Sequence, residues 1–126
     1  LFVAKFLGTP PINVFSGRVQ GEKLYIGEEA VLDVPGVADR DVTVGIRPEG
    51  FIPENNGALS CELSNIEVMG RDMSLVCKST ASLNPIVRAI VNSDIKVDPA
   101  QQTVRFSLKP HKVFIFDAAT EERIRF

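Results

Sequence analysis

Val42-Thr43-Val44-Gly45-Ile46-Arg47-Pro48-Glu49 is the stretch that decides the fold. Three β-branched residues, Val42, Val44 and Ile46, alternate with the smaller Thr43 and Gly45. That is the two-residue period of a strand with one buried face. Arg47-Pro48-Glu49 ends the run, because proline brings no N–H to a sheet ladder.

The same texture extends in both directions. On the N-terminal side, Val14-Phe15 and Val19 lead into a Gly21-Glu22-Lys23 turn. Leu24 and Ile26 follow, then Val31, Leu32 and Val34, closed by Pro35-Gly36. On the C-terminal side, Pro48, Gly50, Pro53 and Asn55-Asn56-Gly57 read as a loop. Leu59, Cys61 and Leu63 then alternate with polar residues until the pattern slips by one, to Ile66 and Val68. A slip of that kind predicts a β-bulge, since one extra residue reverses the facing side. Gly70-Arg71-Asp72 reads as a turn before Met73, Leu75 and Cys77, so a hairpin is expected from Leu59 to Lys78. Ser79 to Pro85 reads as loop, and Ile86 to Val91, Val104 to Leu108 and Val113 to Phe116 as strands. Asp117 to Glu122 turns the chain toward Ile124 and Phe126. Many short strands with almost no helical period indicate an all-β sandwich or small barrel, and the bulge favours a barrel. The exception is Leu1 to Leu7, whose apolar spacing predicts a short helix ended by Gly8-Thr9-Pro10-Pro11.

The 126 residues suit one domain. A net charge of −2 gives no global basic field toward nucleic acid or an anionic membrane. No apolar run approaches the roughly 20 residues of a spanning helix, and no secretory leader is legible at the start. Residue 1 is Leu rather than Met, which raises the expectation of a piece of something longer. Cys61 and Cys77 each sit in an apolar alternation and read as buried free thiols of a reducing cytosol.

Catalytic chemistry finds little support. The sequence has no GxxxxGK[ST] loop, no GxGxxG and no Gly-x-Ser-x-Gly elbow. His111, the sole histidine, stands between Lys109-Pro110 and Lys112 and reads as a solvated turn residue. Glu28-Glu29 and Glu121-Glu122 are adjacent pairs, which in a strand face opposite ways and in a turn face water. They do not form the two differing environments that acid–base work needs. Phe106, Phe114 and Phe116 lie near Arg105, Lys109, Lys112, Arg123 and Arg125, the mixture that single-stranded nucleic acid favours. The alternation nonetheless assigns Phe106 and Phe114 to the core. Arg47 and Glu49 fit either a strand-end cap or salt bridge, or an interface.

Four motifs in order carry a family resemblance. Phe2-Val3-Ala4-Lys5-Phe6-Leu7-Gly8-Thr9-Pro10-Pro11-Ile12-Asn13 resembles FVA-x-FIG-x-P-x-MN. Gly45-Ile46-Arg47-Pro48-Glu49 matches a GIRPE box. Glu67-Val68-Met69-Gly70-Arg71-Asp72 resembles VE-x-LG-x-E, and Phe116-Asp117-Ala118-Ala119-Thr120-Glu121-Glu122-Arg123-Ile124 resembles FD-x-x-TG-x-RI. These are motifs of the C-terminal domain of maltose-type sugar ABC importer ATPases. Ile12 stands where Met is usual, Asp72 where Glu is usual, and Glu122 is assigned to the place where the closing turn usually has Gly.

The resemblance implies a transport-associated OB (TOBE) domain: an OB-fold-like small barrel of short antiparallel strands with a short N-terminal helix. Residues 1–12 would be the linker helix and loop from a missing ATPase domain, and residues 13–126 the regulatory domain. Gly8, Pro10, Asn13, Gly45, Arg47, Pro48, Glu49, Gly70, Phe116 and Asp117 would be structural or interface positions, none catalytic, cofactor-binding or metal-binding. ATP and Mg would belong to the missing domain. The implied partners are a second copy of the subunit, permease subunits reached through the ATPase domain, and a regulatory protein in some members, with no nucleic acid. The implied location is the cytoplasmic face of the cell membrane. Two alternatives stand beside this reading. One is a small-oxyanion module of the molybdate-binding type, with Lys78-Ser79-Thr80-Ala81-Ser82 as donors. The other is a nucleic-acid-binding OB domain.

Overall fold

A computed structural model describes residues 12–126. Gly8, Pro10 and the expected helix over Leu1 to Leu7 lie outside the described residues. In chain order the strands are β1 (Asn13–Gln20), β2 (Lys23–Ile26), β3 (Glu29–Asp33), β4 (Arg40–Ile46), β5 (Phe51–Pro53), β6 (Leu59–Met69), β7 (Asp72–Lys78), β8 (Val87–Asn92), β9 (Thr103–Leu108), β10 (Val113–Asp117) and β11 (Arg123–Ile124). Short 3-10 turns occupy Pro48–Gly50 and Pro110–Lys112.

The strands pair antiparallel in two sheets, ordered β11-β10-β4-β1-β2-β3 and β5-β9-β6-β7-β8. Each strand supplies alternate side chains to one shared core. Phe15, Leu24, Val44, Ile46 and Ile115 come from the first sheet, and Phe51, Leu59, Leu75, Ala89 and Phe106 from the second. Phe51 and Phe106 meet edge to face with ring centroids 5.0 Å apart, a favoured aromatic geometry. The result is the expected all-β, OB-like small barrel.

Local chemistry explains the turns. Gly21 and Glu22 both hold positive φ, 59° and 60°, the turn whose twist matches a tight hairpin. The predicted bulge lies between Leu63 and Asn65, where the β6–β7 register shifts. There β6 leaves β9, which it pairs through Leu59–Glu62, and continues with β7 alone.

Two expectations are corrected, and a third, the hairpin from Leu59 to Lys78, holds with an exposed tip. Phe51–Pro53, within the stretch read as loop, is a strand that pairs Leu108, Ser107 and Phe106. Three residues between prolines are too few to show an alternation. The far end of the 59–78 hairpin is not core-facing, as Val68 is 70% exposed and Met69 52%. The alternation continues there beyond the sheet that would cover it. Phe114 is only half-buried, whereas Phe106 and Phe116 are fully buried.

Candidate functional site

The end of β4 is built by two facing turns. Pro48 supplies the fixed φ at the start of its 3-10 turn, and the Gly50 N–H donates to the Arg47 carbonyl at 2.8 Å. Across the gap, the Arg47 N–H donates to the Lys112 carbonyl at 3.1 Å, and the Lys109 N–H to the Gly50 carbonyl at 2.9 Å. Gly50 is needed for the approach, since a Cβ there would stand 2.7 Å from the Lys112 Cβ. Glu49 does not pair with Arg47. Its Oε1 lies 3.5 Å from Lys112 Nζ, and the Arg47 guanidinium lies over the Phe114 ring, 5.2 Å from its centroid. Arg123 lies over the same ring at 4.9 Å. Phe114 is therefore the ring on which two cations rest, which the apolar run Val113 to Phe116 conceals.

Asn13 sits at the same end and is buried. Its Nδ2 donates to the Ile46 carbonyl at 3.1 Å and the Arg88 carbonyl at 2.9 Å, and its Oδ1 accepts from the Arg88 N–H at 2.8 Å. One side chain thus ties β1 and β4 to β8 in the other sheet. Arg88 Nη1 in turn reaches Glu67 at 2.7 Å and the buried Ser74 at 2.8 Å. Gly45 lies opposite Val14 on one side and Phe114 on the other. Gly70 sits at the tip of the β6–β7 hairpin with φ 67°.

The closing turn is organised by Asp117. Its Oδ1 accepts from the Ala119 N–H at 2.8 Å and the Thr120 N–H at 2.9 Å. These backbone donors, with a smaller contribution from Arg40, hold its carboxyl below the usual carboxylate range. Glu121, not Glu122, occupies the glycine-like position, with φ 64°. The motif count supports this too, since Thr120 is followed by Glu121. Left-handed backbone costs a β-substituted residue about 1 kcal/mol, so Glu121→Gly is expected to stabilise the domain by about 0.5–1 kcal/mol. Urea denaturation checks this, and a lowered midpoint would refute it.

Cys61 and Cys77 are free and buried. Burial pushes the Cys61 thiol up to about 12 and Cys77 to about 11. Since the thiolate is the reactive form, an aromatic disulfide reagent at pH 8 should label neither in the folded protein and both in denaturant. Rapid native labelling would contradict this.

The remaining candidates are placed as follows. His111 is exposed in the second 3-10 turn. Lys78, Ser79, Thr80 and Ala81 line a cleft of about 700 Å³ together with Glu28, Glu29 and Glu62. Three carboxylates against one ammonium make it a poor host for an oxyanion. Glu29 is moreover engaged, accepting from the Ser60 N–H and Oγ, each at 2.9 Å. No group of three or more His, Cys, Asp or Glu among the described residues is placed to hold a metal. No described helix is long and apolar enough to cross a membrane.

Residues 13–51, from β1 through the GIRPE stretch, match the family described as the CysA C-terminal regulatory domain. Over these residues the chain is similar to a TOBE-type C-terminal regulatory domain. The chain is 31% identical to the sulfoquinovosyl glycerol transport ATP-binding protein SmoE of Agrobacterium fabrum, over 98% of this chain and 36% of SmoE. It is 28% identical to the sn-glycerol-3-phosphate import ATP-binding protein UgpC of Psychromonas ingrahamii, over 98% of this chain and 35% of UgpC. It is 31% identical to the uncharacterized ABC transporter ATP-binding protein YcjV of Escherichia coli O157:H7, over 99% of this chain and 37% of YcjV. The chain thus spans about a third of the length of these relatives. The parts of the site that sequence reasoning missed, Phe114 as a cation platform and Arg88 as the partner of Asn13, depend on strand pairing that no local signal reports.

Proposed function

We propose that this chain is the non-catalytic regulatory and dimerisation part of the ATP-binding subunit of an ABC importer for sugars or related solutes. The supporting observation is that nearly the whole chain aligns with about a third of each relative named as an ATP-binding protein. The 126 residues themselves contain no phosphate-binding loop. ATP and Mg are bound by a separate ATPase part of the same polypeptide, with residues 1–12 as the connection and residues 13–126 as the regulatory unit. Two copies hold each other while the ATPase parts open and close, and the permease subunits are reached through those parts. The assembly sits on the cytoplasmic face of the membrane, where a regulatory protein can dock on the exposed barrel.

Sedimentation velocity and ATP turnover test this on two proteins: the 126-residue chain and the same chain joined to its upstream polypeptide. Hydrolysis by the longer protein alone, with self-association in both, is expected. ATP hydrolysis by the 126-residue chain would overturn the non-catalytic role. A monomer in both, at concentrations well above those in a cell, would overturn the dimerisation role.

A further inference from the structure

Strand β10 is buried on both of its faces. Val113 and Ile115 belong to the shared core, so Phe114 and Phe116, which alternate with them, point to the other side of the first sheet. Phe116 is fully buried there, outside the shared core. Its partners in the flanking strands are Thr43 and Arg123, both half-buried, and Ala118 and Ala119 in the turn that follows are exposed. Those neighbours do not shut a phenylalanine off from water, so a further apolar body covers it.

Gly45 lies on the same face one strand away, between Val14 and Phe114. It is buried although it has no side chain. A glycine inside a central strand marks a place where another backbone comes close. Arg47 and Arg123, over the Phe114 ring, edge this face. Both arginines, Phe114 and Phe116 are engaged side chains, as on a covered surface.

The chain carries a segment of matching chemistry within reach. Every residue of 1–7 except Lys5 is apolar, and two of them are Phe2 and Phe6. Residues 8–12 join this segment to Asn13, which pairs with Ile46. Five extended residues span at most roughly 17 Å. From β1 to β10 is two strand spacings, about 10 Å, and two residues along a strand add about 7 Å. Gly45 and Phe116 therefore both lie within reach. The competing seat is the recess of about 300 Å³ lined by Ile12, Pro48, Pro85 and Ile86. Its rim is uncovered, with Ile86 44% exposed.

We propose that residues 1–7 of this chain seat on the outer face of the first sheet, over Gly45 and Phe116 and beside the Phe114 ring. In the reading given above, where residues 1–12 are the connection to the ATPase part, this seat makes the connection a rigid joint on β4 and β10 rather than a free tether. The seat itself does not rest on that reading.

The test is NMR on the folded 126-residue chain. Nuclear Overhauser contacts from the Phe2 and Phe6 rings to the Phe116 ring and the Gly45 amide are expected. Contacts to Ile86 instead, or none to the barrel, overturn the seat. A mixture of differently isotope-labelled chains separates the copies, and contacts found only between chains overturn the same-chain occupant in favour of a second copy. Urea denaturation gives an independent readout. Phe116→Leu keeps the face apolar, so the variant folds. Combined with the Phe2→Ala/Phe6→Ala variant, it should change the unfolding constant by at least about threefold less than the product of the separate effects. Val68→Ala at the exposed hairpin tip should multiply simply with Phe2→Ala/Phe6→Ala. Simple multiplication for Phe116→Leu as well overturns the seat. ATP turnover and sedimentation, which test the transporter reading, leave these contacts untouched.

Discussion

Gly57→Ala should unfold the domain at a temperature roughly 10 °C lower than the parent chain, a loss of about 3 kcal/mol. A Cβ built at Gly57 stands 2.4 Å, 2.6 Å and 2.6 Å from the backbone C, N and O of Phe106. The obstacle is main chain, so no side chain can rotate away. Phe106 is fully buried in β9, paired with Pro53 on one side and Leu59 on the other. The 54–57 segment is also stapled to β9. The Glu54 N–H donates to the Arg105 carbonyl at 3.0 Å, and Arg105 Nε to the Gly57 carbonyl at 2.8 Å. Relief therefore requires β9 to move away from β5 or β6, which opens the core around Phe51 and Phe106. Gly36→Ala is the control. Gly36 has φ 79° and nothing within 4 Å of its virtual Cβ, so it should lose only about 1 kcal/mol to backbone strain. Thermal unfolding followed by circular dichroism compares the two, and a Gly57→Ala midpoint no lower than that of Gly36→Ala would reject the close-approach argument.

That pair of glycines marks where the sequence is legible and where it is not. Asn55-Asn56-Gly57 reads locally as a turn, where glycine serves for positive φ. In the fold the requirement comes from a strand about fifty residues further along. By contrast, the hairpin from Leu59 to Lys78 shows in the sequence down to its bulge, because a slip in alternation is a local record of which face meets the core. The end of β4 was equally clear as a strand stopped by proline. What its polar residues touch was not, since Arg47 meets Phe114 and Glu49 meets Lys112 across a strand pairing. Phe114 misleads for a related reason. A run of four apolar residues hides which face is covered, and only the neighbours Arg47 and Arg123 show that one face is cationic rather than greasy. Glu121 shows the opposite case, since the residue after Thr120 is the glycine place of the motif and it is the one with positive φ.

Asn13 carries the second large effect. Two of its three bonds cross a separation of 75 residues to reach Arg88 and the third crosses 33 to reach Ile46, so no window of sequence could reveal them. Asn13→Ala removes both donors and the acceptor at once. It leaves the Arg88 N–H and two carbonyls without that partner where water is scarce, at a cost of about 3 kcal/mol. Asn13→Asp separates geometry from chemistry. The carboxylate keeps the acceptor for the Arg88 N–H but turns a second oxygen toward the carbonyls of Ile46 and Arg88, where the amide had placed its donors. At neutral pH this substitution should be the more damaging of the two, because it buries a charge against two acceptors. The sign of its pH dependence follows. Burial and the facing carbonyls raise the folded carboxyl pKa above its unfolded value of about 3.9. The folded state then binds the extra proton, so the deficit of Asn13→Asp relative to the parent is smallest below that value and grows as pH rises through the folded pKa. Urea midpoints at pH 4 and pH 7 measure it. A deficit that is larger at pH 4, or an Asn13→Ala variant within about 0.5 kcal/mol of the parent, would show that the two sheets are joined at the GIRPE end by packing alone rather than by this amide.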